Sequence, residues 1–316
     1  MKKLADMSNG DSIEGQFLIA SCTRCEGSKG NTYLNISLQD NSGTMDARKW
    51  NSRPEDEEIF VPGTVVSISA DVFTYRDVLQ MKIQDARPLD QNLIDHSAFA
   101  TACPVDVNEL KTKLKNYIDS IKIPEAKELV SFLIEENYDS FVTYPAATKN
   151  HHNCMSGLLF HTISMVDLAE QVCLLYPELN RDILISGALI HDIGKIKELS
   201  GPEATQYTLE GKLLAHISIG QAMVKEAADA LNLKGEVPLL LEHMIIAHHG
   251  KSDFGSPVPP KTREALALSM IDDFDAKMNI LSKAYDGVAA GNWTQKIYAM
   301  DNGYFYCPEY SEKKDA

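Results

Sequence analysis

Two hydrophobic periods divide the chain. Between about residues 12 and 88, apolar and polar side chains alternate in short runs at 16–20, 33–38, 65–69 and 78–83. A period of two puts successive side chains on opposite faces, as in strands with one face in a core. Turn-forming groups separate the runs at Gly27-Ser-Lys-Gly30, Asp40-Asn-Ser-Gly43 and Pro62-Gly63. About five or six short strands in so little chain predict a small barrel.

Beyond residue 105 the period becomes helical. Segments 107–121, 125–136, 157–175, 182–191, 212–231, 238–248 and 263–283 each carry apolar residues at helical spacing. Between the two regimes, residues 91–104 show no period and end at Pro104, which marks a linker. The fold class is therefore multidomain, α and β. A small β-barrel over 1–90 and the linker precede an all-α domain over 105–285, with an aromatic extension over 286–316. In that extension Asp301-Asn-Gly303 predicts a hairpin turn, and the aromatic residues around it either dock on the helical domain or stack on bases.

Composition narrows the class. In 316 residues, 44% hydrophobic and 24% charged content is that of an ordinary globular protein. No apolar run approaches the roughly 20 residues a helix needs to cross a bilayer. The two lysines at the N-terminus are followed by no apolar segment, so no signal peptide is expected there. The expectation is a cytoplasmic protein without a membrane partner. Six scattered cysteines give no disulfide framework, and Cys22-Thr-Arg-Cys25 lacks the second pair a zinc site needs. Thirty Lys+Arg against 45 Asp+Glu leave a net charge of −15, which excludes coating nucleic acid through bulk charge. Any such contact has to come from a local groove or from bound cations.

The candidate chemistry lies in polar residues set inside the apolar helices. These are His161, His191-Asp192, His216, His248-His249 and Asp272. One such histidine is ordinarily a satisfied core residue, whereas five helices each burying one is hard to explain by packing. Divalent cations at a point of convergence remove the cost of burying them. Mixed imidazole and carboxylate donors suit Mn, Fe, Co or Zn better than Mg. No serine or cysteine nucleophile arrangement is present, which fits direct attack by water. His151 and His152 either line a substrate channel or belong to a polar loop. His243 is a supporting group, an alternative ligand or a core residue. Lys251, in the Gly/Pro-rich stretch 250–260, is a candidate phosphate contact. Lys195 either neutralises a phosphate oxygen or is a solvated lysine at a helix end.

The order His … His-Asp … His … His-His … Asp across about residues 150–280 resembles the HD superfamily of metal-dependent phosphohydrolases. By position, that resemblance implies one ion held by His161, His191, Asp192 and Asp272. Asp192 would bridge to a second ion on His216 and His248, with His249 adjacent. Asp272 is preferred over Asp273 and Asp275. Asp192 and the Lys195 of the His-Asp-Ile-Gly-Lys variant would be the catalytic groups, in an arrangement suited to phosphodiester hydrolysis.

The run Leu38-Gln-Asp-Asn-Ser-Gly-Thr-Met-Asp-Ala-Arg-Lys-Trp50 resembles the strand–turn–strand of OB-fold nucleic-acid-binding domains. Such barrels hold single strands on a curved face by stacking and basic groups. Tyr33, Arg48, Trp50, Phe73, Tyr75 and Arg76 are the candidates for those parts, or else fill the barrel.

The pairing of the two domains resembles the family of YhaM-type 3′–5′ exoribonucleases, from the barrel to the Trp293–Tyr306 tail. The family resemblance implies Mn-dependent release of nucleoside 5′-monophosphates from the 3′ end of single-stranded RNA. It also implies some activity on single-stranded DNA, and a homo-oligomer. Two other readings are a phosphohydrolase of a small nucleotide or cyclic dinucleotide with the barrel as an interaction module, and a non-catalytic RNA-binding protein with a structural metal.

Overall fold

Five strands close into a barrel in the order β1-β2-β3-β5-β4, in a computed structural model that describes residues 2–26, 30–75, 78–100, 103–148, 154–202 and 205–310. The strands are β1 (Ser12–Glu26), β2 (Thr32–Asp40), β3 (Gly43–Trp50), β4 (Val65–Tyr75) and β5 (Val78–Pro88). A short helix, α1 (Pro54–Ile59), connects β3 to β4. All ladders are antiparallel except β3–β5, which is parallel. The strands are longer than their apolar runs: β1 extends over 15 residues. A register shift between Ile19 and Ser21 bends it so that it pairs with both β2 and β4. His151, His152 and Arg76 lie outside the described residues.

Alternation decides what each barrel face carries. Leu34, Ile36 and Leu38 of β2 and Ala47 of β3 point inward onto Phe17, Ile68, Val72 and Met81. Their neighbours Tyr33, Asn35, Ser37 and Gln39 face outward and pair with Trp50, Arg48, Asp46 and Thr44. The aperiodic linker is strapped to the barrel. Val65 N–H donates to Gln91 Oε1 at 2.8 Å, and Gln91 Nε2 donates back to Val65 O at 2.9 Å. Leu89, Ile94 and Phe99 pack on Leu18 and Val65. The segment shows no period because its structure is two 3-10 turns, Gln91–Leu93 and His96–Phe99.

Nine helices follow among the described residues: α2 (Val107–Ser120), α3 (Pro124–Glu136), α4 (Tyr138–Thr143), α5 (Gly157–Leu175), α6 (Arg181–Ile190), α7 (Lys195–Glu198), α8 (Leu209–Ala230), α9 (Glu236–Ala247) and α10 (Arg263–Tyr285). Seven correspond to the helical periods; α4 and α7 are too short to display one. One expectation needs correction. With 19 residues and a mean hydropathy of 1.4, α5 is long and apolar enough to cross a membrane. Here it is the axis of the helical domain: Leu158, Leu159, Ile163, Met165 and Val166 are all buried in the core. Its C-terminal end is open, with Leu174 and Leu175 exposed by 76% and 74%.

Two local features bear on function. Helix α8, which reads as continuous, is broken at Ala215 (φ 58°, ψ 157°). A non-glycine residue held there costs about 1–3 kcal/mol unless its surroundings enforce it. The C-terminal extension folds as a hairpin, with bridges Trp293–Tyr306 and Ile297–Gly303 and left-handed Asp301 (φ 50°) and Asn302 (φ 61°) in its turn. It docks on α10, where Tyr285 Oη donates to Tyr306 O at 3.0 Å.

Candidate metal centre and strand-binding face

Helix ends deliver most of the candidate ligands. Helix α6 stops at Ile190, which puts His191 and Asp192 on the turn before α7. Helix α9 stops at Ala247, which puts His248 and His249 on the next turn. His161 comes from the buried middle of α5, Asp272 from α10, and His216 from the restart of α8 after its break.

Each imidazole is oriented from behind. His191 Nδ1 lies 2.8 Å from Ala188 O, and His248 Nδ1 lies 2.6 Å from Ile245 O. His249 Nδ1 lies 2.6 Å from Phe254 O. A carbonyl only accepts, so these three Nδ1 atoms carry the hydrogen and donate, leaving Nε2 as the lone-pair side of the ring. Carboxylates perform the same service for the other two: Asp275 Oδ2 is 2.8 Å from His161 Nδ1, and Glu198 Oε1 is 3.1 Å from His216 Nδ1.

The Nε2 sides converge around Asp192. Its Oδ2 is 3.6 Å from His161 Nε2 and 3.3 Å from His191 Nε2, which are themselves 3.3 Å apart. Asp272 Oδ1 adds a fourth atom, 3.3 Å from His161 Nε2. On the other side, Asp192 Oδ1 is 3.5 Å from His216 Nε2 and 3.8 Å from His248 Nε2. With metal–ligand bonds of about 2.0–2.2 Å, atoms sharing one ion stand roughly 3–3.5 Å apart.

The orphans of the site fit that reading. Asp192 Oδ1, His216 Nε2 and His248 Nε2 are buried without a hydrogen-bond partner. Three unsatisfied buried atoms are costly, and a divalent cation satisfies all three at once. The donor set therefore fits two ions, one among His161, His191, Asp192 and Asp272, the other among Asp192, His216, His248 and His249. His249 joins the second group directly: its ring centroid is 5.2 Å from that of His216 and 4.3 Å from that of His248.

The local field keeps these groups in ligand form. Burial opposes ionisation of Asp192, but Lys195 and His191 hold it well below the usual carboxylate range. Burial together with the neighbouring His249 and His191 keeps His248 neutral. His161 is the exception. Burial resists its charge, yet Asp272 and Asp275 override that and push its pKa up to about 9.

Several candidates take other places than expected. Lys195 is not a solvated helix-end residue: it is buried at the start of α7 with Nζ 2.6 Å from Asp192 Oδ2. His243 is not a ligand and does not back one; its Nε2 accepts from Lys261 N–H at 2.9 Å and fastens the loop after α9. Lys251 is exposed beside His249, whose carbonyl accepts its backbone N–H at 2.9 Å. Asp273 pairs with Lys277 at 2.7 Å on the outer side of α10. Glu198 was missed, because Lys195-Ile-Lys-Glu198 reads as a charged surface turn and only its burial reveals it.

On the barrel, Tyr33, Arg48, Trp50 and Tyr75 come together on the outer face and do not fill the interior. The Tyr33 and Trp50 rings are 4.7 Å apart. The Arg48 guanidinium lies 5.8 Å from the Tyr33 ring, 5.6 Å from Trp50 and 5.5 Å from Tyr75. Trp50 and Tyr75 keep 40% and 43% of their surface open. Phe73, two residues before Tyr75, is half-buried and outside this stack.

Comparison with known proteins agrees with both halves. Residues 18–89 match the OB-fold nucleic acid binding domain family, and residues 158–277 match the HD domain family. A solved second OB-fold domain of replication protein A from Methanococcus maripaludis is a distant likeness, with 14% identity over 29% of this chain and 97% of that one and a TM-score of 0.25. The 3′-5′ exoribonuclease YhaM of Bacillus subtilis (strain 168) is 40% identical over 302 residues, covering 95% of this chain and 96% of its own. The protein of the same name from Geobacillus sp. (strain WCH70) is 40% identical over 303 residues, covering 96% and 94%. With that identity running from the barrel through the metal centre, the chain belongs to the YhaM 3′-5′ exoribonuclease family.

Proposed function

We infer that this chain removes nucleotides from the 3′ end of single-stranded RNA by divalent-metal-dependent hydrolysis, releasing nucleoside 5′-monophosphates. The observation that carries the reading is Asp192, whose two oxygens face two separate groups of imidazole nitrogens. When bound, a pair of divalent ions supplies the Lewis acidity that activates water and neutralises charge on the scissile phosphate.

The protein's own groups do the positioning. Asp192 joins the two ligand groups, and Lys195 keeps that carboxylate ionised. The carbonyls of Ala188 and Ile245 fix the rings of His191 and His248. Tyr33, Trp50 and Tyr75 offer ring faces to bases, which stack without regard to identity. Lys251 and, outside the described residues, His151 and His152 are candidates for substrate contact near the centre.

Mixed nitrogen and oxygen donors support Mn as the ion, with Fe, Co or Zn as the alternatives. Stacking does not require the ribose 2′-hydroxyl, which supports some activity on single-stranded DNA. A homo-oligomer is supported by the open apolar row Leu266, Met270 and Phe274 on α10, exposed by 54%, 66% and 55%. We place the protein in the cytoplasm, where such an enzyme meets RNA.

The test is a time course on 5′-labelled single-stranded RNA with and without Mn, resolved on a denaturing gel. A Mn-dependent ladder shortening from the 3′ end is expected. An intact strand alongside hydrolysis of a cyclic dinucleotide would overturn the reading and make the barrel a docking module.

A further inference from the structure

Four cross-strand pairs follow one another down the outer face of the β2–β3 ladder: Tyr33 with Trp50, Asn35 with Arg48, Ser37 with Asp46, and Gln39 with Thr44. The first two pairs carry the aromatic stack. The last two open into a cavity of about 560 Å³ between the barrel and the helical domain, where they face Tyr207 and Lys212. At about 3.3 Å per residue, the strand from Trp50 to Thr44 spans roughly 20 Å.

The far wall of this cavity hangs from the metal centre. It leaves α7 directly after Glu198, and Leu199 pairs with Tyr207 in an antiparallel bridge. Thr208 N–H donates to Glu198 O at 2.9 Å, and the Thr208 hydroxyl donates to Lys197 O at 2.8 Å. Gly211 sits so close that a Cβ there would stand 2.3 Å from Glu198 O. The same helix then reaches His216. One wall thus continues along the chain into the strand-binding ladder, and the other, through Lys212, into the helix that carries His216.

The lining suits a nucleic-acid backbone. Ser37 and Thr44 offer hydroxyl groups to sugar and phosphate oxygens without reading a base, while the Gln39 amide donates to Phe99 O at 3.1 Å. Lys212, exposed, supplies a cation for a phosphate, and Tyr207, with 47% of its surface open, supplies a ring face. In a chain of net charge −15 such local groups have to do the holding.

We propose that this cavity is the conduit through which the 3′ end of single-stranded RNA passes from the Tyr33–Trp50 stack to the metal centre, with Tyr207 and Lys212 as its contacts. The proposal rests on the exoribonuclease reading above. A second cavity flanks the same Thr44–Asp46 edge but is walled by the end of α10 and by the C-terminal extension at Gln295–Ala299. From Trp50 to Asp46, where the conduit opens, the strand covers about 13 Å, which at the stacked spacing of about 3.4 Å is roughly four nucleotides, fewer in an extended strand. Shorter RNAs lose the stack.

The test uses the metal-loaded full chain and RNA with phosphorothioate linkages at the 3′ end to slow hydrolysis. A single 4-thiouridine is moved stepwise from that end, and crosslinked peptides are identified by mass spectrometry. Positions nearest the 3′ end should crosslink within 205–212, and positions further 5′ should crosslink at Tyr33, Trp50 or Tyr75. Crosslinks that reach Trp50 yet miss 205–212, or that move to 295–299, overturn the conduit. In turnover, Lys212→Glu should raise KM for long RNA about tenfold with kcat nearly unchanged, the worth of one charge-assisted contact; an unchanged KM also overturns it. If the wild-type protein neither binds nor shortens RNA, the exoribonuclease reading itself has failed, which is a different result from intact trimming with no crosslink in 205–212.

Discussion

One carboxylate oxygen of Glu198 serves both ends of His216: it accepts the backbone N–H at 2.9 Å and faces Nδ1 at 3.1 Å. The first contact caps the half of α8 that restarts after the break at Ala215. The second fixes the ring with Nε2 toward Asp192. Glu198→Gln keeps an oxygen acceptor for both donors but removes the charge that makes the imidazole a stronger ligand. Affinity at the His216, His248 and His249 group should fall by about ten- to a hundredfold, with the His161 and His191 group spared. Metal analysis after dialysis should then find close to one ion per chain; two retained ions would remove Glu198 from this role.

Asp192 faces both groups of imidazoles, and its replacement should stop hydrolysis while leaving RNA binding by the barrel. The bare change also strands the buried Lys195 ammonium, which costs about 3–5 kcal/mol. The paired substitution Asp192→Asn with Lys195→Met removes that cost. Filter binding should match wild type, and gel assays should show no ladder. A ladder from either variant would refute the assignment of Asp192.

Trp50→Ala removes one face of the stack with Tyr33 and leaves the metal centre untouched. Stacking is worth about 1–3 kcal/mol per base, so KM on long RNA should rise roughly ten- to a hundredfold while kcat holds. An unchanged KM would take Trp50 out of the binding face.

His161 sets a pH signature for metal loading. Without an ion its pKa is about 9, raised against burial by Asp272 and Asp275. At neutral pH the ring therefore carries a proton that an incoming ion has to displace. Affinity should climb with pH by up to about tenfold per unit and level off above pH 9, because beyond it no proton remains to be lost. Titration calorimetry in buffers of different ionisation heat should show close to one proton released near pH 7.5. No release would mean that His161 binds from an already neutral form.

The helices were legible because each buries an apolar stripe, and the ligand histidines because they interrupt those stripes. Asp272 could be set apart from Asp273 and Asp275 only by analogy; geometry separates them, with Asp273 on Lys277 and Asp275 behind His161. Helix α7 was not legible, because four residues cannot show a period. Glu198 and Lys195 were not legible as buried groups, since charged side chains in a short polar stretch ordinarily face water. The break at Ala215 left no trace, because an alanine there is what an unbroken helix would carry.

The glycine of the His-Asp-Ile-Gly-Lys run is required for a reason its backbone angles hide. Gly194 has an ordinary helical φ of −63°. A Cβ on it would nonetheless stand 2.0 Å from His216 O and 2.7 Å from Gly220 N. Here two stretches of main chain touch directly, one bearing His191 and Asp192, the other bearing His216. The separation of the two ligand groups is thus gauged by backbone thickness and not by any side chain. A single methyl group at this position would act as a wedge, forcing the stretch that bears Asp192 and the stretch that bears His216 apart.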